Sequence, residues 1–187
     1  MNRICLIFYC FVFFASYSFG QTKEEKISGI RQQFLKIQKF IDSNESKYIV
    51  EEQGNGHGST YEIFSENERL YLIHQLSSLD NGHSHSYKYY FDHNNELVFV
   101  HSVVDLFNYT GGAHLYRELR IYLYEGEIIK TLEKKISHKD IQVVREFKAN
   151  IDSQPNQEIK YPDLSSLSNA DLLLSIWENM KKLKTPY

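Results

Sequence analysis

The sequence predicts an α+β domain: an N-terminal amphipathic helix packed on a six- to seven-stranded antiparallel meander, followed by two C-terminal helices. Three observations carry that prediction. Apolar residues recur at helical spacing over 22–42, at every second position over 48–133, and at helical spacing again over 138–184. The polar connectors in the middle region are short, which favours antiparallel neighbours over helical crossovers. Tyr, Phe, Val and Ile dominate that region, as expected of half-buried strands.

Residues 1–20 stand apart from this domain and read as a secretory signal peptide. Arg3 supplies the positive charge, residues 4–15 form an apolar run too short to span a bilayer, and Ser18 and Gly20 lie where signal peptidase needs small side chains. Gln21 is then the mature N-terminus. Of 187 residues, 167 remain, enough for one domain, 21–187, with its own core. Arg3 is the one charge in the leader, so the mature chain carries 20 basic against 24 acidic side chains, a net charge of −4. That mild, mixed balance excludes the concentrated basic footprint of a nucleic-acid binder. Both cysteines, Cys5 and Cys10, fall in the leader, and Cys10 lacks the setting of a lipidation site. The mature chain therefore has no disulfide, thiolate nucleophile or cysteine metal ligand. No later segment reaches transmembrane length. A soluble secreted or periplasmic protein, with no membrane contact after leader cleavage, is the expectation.

The first helix, 22–42, opens on a capping box of Thr22 and Glu25 and buries Ile27, Ile30, Phe34, Ile37 and Ile41 on one stripe. Strands follow at 48–53, 60–65, 70–77, 86–91, 97–104, 115–124 and 128–133. Within them runs an internal echo. Aligning Phe64 with Phe91 puts Leu70 on Leu97, Leu72 on Phe99 and His74 on His101, and a shorter third copy begins at Tyr124. Repeated hairpins facing the same turn problem account for it. A helix from Ser137 to about Ala149 and a second one capped by Ser168 and Asp171 complete the chain, separated by a Pro-flanked linker.

Histidine is the one functional residue type in excess, with eight, all downstream of the leader. His83 and His85, two apart, face the same side of an extended segment and could share a zinc or copper ion, with His57 as a further ligand. Loop histidines are also ordinary turn residues, and no third ligand stands at a readable spacing, so no metal or other cofactor is expected. The glycine-rich stretch 54–59 lacks the lysine and following helix of a phosphate-binding loop. Asp92, Asn94 and Glu96 alternate as calcium ligands can, but Asp-x-Asn is hairpin-turn chemistry.

His74 and His101 lie on apolar strand faces at equivalent places in their hairpins. Brought together by neighbouring strands, they could act as acid and base. The strand 115–124 offers a different site. Its Leu119, Ile121 and Leu123 point to the core, while Tyr116, Glu118, Arg120, Tyr122 and Tyr124 share the opposite face. Tyrosines interleaved with charge on a solvated sheet form a low-entropy contact surface for a protein or glycan partner.

The stretches YYFDHNNELVFV (89–100) and RIYLYEGEIIK (120–130) resemble a hairpin type recurrent in uncharacterised secreted bacterial proteins: aromatic strand, Asp/Asn/Gly turn, aliphatic strand. The resemblance covers about half of the mature chain and implies an exported bacterial protein. It is a turn-and-packing pattern, so it transfers no catalytic residue. The function expected is a non-enzymatic exported binding or accessory protein using the Tyr-rich face. The alternative is a hydrolase-type enzyme with a histidine-lined pocket. A pocket holding His74 or His101 within reach of a carboxylate favours the enzyme, and a flat aromatic surface favours binding.

Overall fold

The computed structural model describes residues 21–43, 47–54, 57–66, 69–79 and 83–160. The leader and the expected second C-terminal helix lie outside these residues. Helix α1 spans Lys23–Ser43. Its capping box is formed: the Glu25 amide donates to Thr22 Oγ1 at 3.2 Å, and the Thr22 amide donates to Glu25 Oε2 at 2.8 Å.

Seven long strands follow: β1 Lys47–Gly54, β2 His57–Glu66, β3 Arg69–Leu79, β4 His83–Phe91, β5 Leu97–Leu106, β6 His114–Tyr124 and β7 Glu127–His138. Helix α2, Ile141–Ala149, comes next, and the two-residue β8, Gln157–Glu158, pairs with Leu132 and Glu133 of β7. The strands lie in the sheet in chain order, every pair antiparallel. The expected α+β meander is therefore present.

Turn chemistry enforces this order. Glu125 and Gly126, at φ 52° and 77°, close the β6–β7 hairpin with both central residues left-handed, the turn that matches strand twist. In the β4–β5 loop Asp92 Oδ1 accepts from the amides of Asn94 and Glu96, at 2.8 and 2.9 Å, so its carboxylate closes a turn.

The internal echo has a definite structural form. In β2–β3, β4–β5 and β6–β7 the register slips just past the turn, leaving Tyr71, Val98 and Ile129 of the returning strands without a partner on the outgoing ones. Each bulge lets two successive side chains face the same side. All three extra residues pack into one cluster with Ile27, Ile30 and Ile37 of α1 and with Phe64, Leu72, Tyr90, Phe99, Tyr122 and Leu132 of the sheet. The repeat builds the seat of the helix. Each α1 isoleucine buried there contributes about 1.5–3 kcal/mol by removal from water. The opposite sheet face buries a second cluster that includes Tyr61, Ile63, Ile73, Tyr89, Val100, Leu119 and Ile121.

Four expectations need correction. Strict alternation puts Leu70 and Leu97 on one face with Leu72, His74, Phe99 and His101, but the bulges carry these two leucines into the second cluster, on the opposite face. Residues 83–85, read as connector, belong to β4, because ladder partners on β3 and β5 hold this polar stretch extended. Ser137 and His138, read as a helix start, end β7 opposite Leu115 and His114. Asp140 is the true cap of α2, its side chain accepting from the Gln142 amide at 2.9 Å. Tyr116 and Tyr122, read as solvated, are 8% and 5% exposed.

Candidate functional site

Both helices cover the same face of the sheet, at opposite ends. On β6, Tyr122 lies in the α1 cluster, while Tyr116 meets Phe147 of α2 edge-to-face at 6.3 Å. On β5, Phe99 belongs to α1, and Asp105 pairs with Lys148 of α2. Amphipathic helices on each end of the face explain why tyrosines alternating with charges are nonetheless buried. The band between the helices carries polar side chains. Ladder pairing aligns Glu62, His74, Lys88, His101 and Arg120 in one row across β2 to β6. His74 and His101 are therefore two strands apart, with Lys88 between them.

Each histidine has a carboxylate partner. His74 Nδ1 is 3.0 Å from Glu62 Oε2, and its Nε2 is 3.0 Å from Ser86 Oγ. Burial lowers the His74 pKa below 6.5, opposed by the hydrogen bond to Glu62 and reinforced by the charge of Lys88. The ring is therefore neutral at pH 7. His101 Nε2 lies 3.2 Å from Glu118 Oε1, which also accepts from Arg120 Nε at 2.7 Å. Burial alone pushes the Glu118 carboxyl up. The hydrogen bond from His101 and the charge of Arg120 outweigh it and hold the group down at about 2. At 4% exposure, Glu118 is thus a buried anion at neutral pH.

Alongside the row a cleft of about 370 Å³ opens between α1 and strands β5 and β6. Ile30, Phe34, Leu35, Phe99 and Tyr122 supply apolar walls, and Arg31, His101 and Arg120 supply the polar groups. Phe34 meets the rings of Tyr90 and Phe99 edge-to-face at 5.0 and 5.4 Å, which fixes the wall. Leu35 is 64% exposed at the cleft. Such an apolar concavity with a few convergent polar groups is the usual form of a small-ligand site.

Of the residues named from sequence, Arg120 and Tyr122 line this cleft, as does His101, whereas His74 stands farther along the row. Tyr116 packs at α2, and Tyr124 lies under Lys26 Nζ, 3.8 Å from its ring centroid. His83 and His85 do share one side of β4. His83 Nε2 sits 2.6 Å from the Phe107 carbonyl, however, and His85 turns its ring edge-to-face with Tyr87 at 6.2 Å. Burial, with His83 nearby, lowers the His85 pKa. Among the described residues no three His, Cys, Asp or Glu side chains form a metal-binding group. His57 begins β2 opposite Gly54. Sequence reasoning placed Glu118 on the tyrosine face but gave it no role, and assigned none to Glu62, Ser86, Lys88 or Arg31; register brings the first four of these together with the histidines. Counting register outward from the hairpin turns, with bulges allowed for, was the signal that could have found those four.

An α+β meander with a helix-flanked cleft is the class that fold and site define. Comparison with family models, with curated proteins and with solved structures finds no match. Among the described residues no helix is long and apolar enough to cross a membrane.

Proposed function

We propose that this is an exported, non-enzymatic binding protein whose site is the cleft between α1 and strands β5 and β6. The cleft itself carries the proposal: apolar walls from the helix and sheet enclose three cationic or titratable side chains, Arg31, His101 and Arg120. Export rests on Arg3, the apolar run 4–15 and the small-residue end at Gly20, with Gln21 as the first mature residue. The tyrosine face is no longer the contact surface, since Tyr116 and Tyr122 are buried. A neutral fluorescent probe such as N-phenyl-1-naphthylamine tests the cleft. It should bind the exported protein, and Leu35→Glu should weaken it at least fivefold; binding unaffected by Leu35→Glu would refute the site.

The chain Glu62–His74–Ser86 supports a second, hydrolytic reading, because it has the order orienter, base, nucleophile at hydrogen-bond distances. His101 in the cleft beside Glu118 also meets the condition set above for an enzyme. Two features weigh against it. Ser86 lies inside β4 with ladder partners Leu76 and Val103 on either side, so its main-chain amide belongs to the sheet and does not form an oxyanion hole. Glu118, held ionised by Arg120 and His101, is an anchor and not a proton carrier. Loss of esterase turnover in Ser86→Ala, with wild-type turnover well above the buffer rate, would reverse the order of the two readings.

A further inference from the structure

Building on the cleft proposed as the binding site, we infer that its ligand is a monoanionic amphiphile, an acyl chain or apolar ring system ending in a carboxylate or similar single negative charge. Three observations point there. First, the charge in the cleft is unbalanced. Arg31 and Arg120 both line it, while among the described residues the one carboxylate in contact with Arg120 and His101 is the buried Glu118. One anion against two fixed cations leaves the cleft positive. Arg31 makes no ion pair among the described residues, and its guanidinium carbon stands 5.7 Å from the Tyr122 ring centroid.

Second, Arg120 is held in position by Glu118. Glu118 Oε1 takes Arg120 through Nε, and among the described residues the two terminal Nη groups make no further hydrogen bond or ion pair, so they can meet the two oxygens of a carboxylate. The same oxygen takes His101 through Nε2. Glu118 is thus a positioning residue, and its ionised state keeps the Arg120 guanidinium and the His101 ring in place through the neutral pH range. Third, everything else around the cleft is apolar. Ile30, Phe34, Leu35 and Phe99 offer no hydrogen-bond partner and Tyr122 offers one hydroxyl, so most polar groups of a polyhydroxylated or multiply charged ligand would be left desolvated and unpaired.

Calorimetry of the purified exported protein with three probes of one chain length tests the inference: laurate and dodecyltrimethylammonium below their micelle concentrations, and dodecanol below its solubility limit. Laurate should bind at least tenfold more tightly than dodecanol, and the cation most weakly. Arg120→Gln and Arg31→Gln should each weaken laurate about fivefold or more and leave dodecanol unchanged, while Leu35→Glu should weaken both. Arg31 lies on the exposed side of α1, so its variant keeps the test valid if Arg120→Gln perturbs the fold. Equal binding of laurate and dodecanol, or laurate affinity indifferent to both arginine variants, would overturn the anion assignment and leave the cleft as a site for neutral apolar ligands. Binding by none of the three would overturn the cleft itself.

Discussion

His101 Nε2 sits 3.2 Å from Glu118 Oε1, and this one buried carboxylate oxygen orients the histidine and, at 2.7 Å, Arg120 as well. Register brings them together: Arg120 pairs with His101 across β5 and β6, and Glu118 lies two residues along the same face. A carboxylate at 4% exposure is tolerated only because both partners are in hand.

Glu118→Gln should therefore lower stability by about 2 kcal/mol. The cost stays below the roughly 3–5 kcal/mol of a fully buried pair because Arg120 and His101 keep roughly a third of their surface in water. The folded-state pKa of about 2 lies below the ordinary carboxylate value, so the contribution is complete above pH 4.5 and lost as pH falls from there toward 2. Urea unfolding between pH 5 and 2.5 should show a steep decline in the wild type and a shallower one in Glu118→Gln. Parallel declines would contradict the assignment.

His74 gives a second pH window with the same sign. Its folded pKa is lowered, chiefly by burial, so its contribution is complete above pH 6.5 and lost as pH drops through the folded value. Midpoints measured from pH 7.5 to 5 should fall with pH. His74→Asn should reduce that slope, and His85, also lowered by burial, should account for part of what remains.

Tyr122 should behave as a core residue. Its ring lies 5.0 Å from Phe99 in the α1 cluster, so Tyr122→Ala should cost about 3–5 kcal/mol. Lys36→Ala, on the exposed side of the same helix, should stay within about 0.5 kcal/mol. Equal small shifts for the two would mean that α1 does not hold this face.

The β6–β7 turn offers a stabilising change. Glu125 adopts φ 52°, a conformation that costs a non-glycine residue about 1 kcal/mol and that asparagine tolerates better. Glu125→Asn should raise the thermal midpoint by a few degrees, read by circular dichroism.

Local pattern was enough for the elements themselves. The capping box of Thr22 and Glu25, the α1 stripe, the inward Leu119, Ile121 and Leu123, and the equivalence of His74 with His101 all follow from periodicity and turn chemistry, which are properties of a few consecutive residues. Which alternating face meets water is a different kind of fact. On β6 the pattern separates Tyr116 and Tyr122 from the leucines, yet nothing local says that α1 and α2 both return to that side.

The bulges mark the same boundary. A single extra residue at Tyr71, Val98 or Ile129 reverses the face of its neighbour, and period-two counting has no means of seeing it. The candidate site depends on both effects. Its residues come from α1, β5 and β6 and meet only after the register is set and the helix is seated. The sequence by itself determined the elements and the turns, because their energies are local. The tertiary structure decided burial, the Glu118 anchor and the cleft, because these depend on which surfaces come to lie against each other.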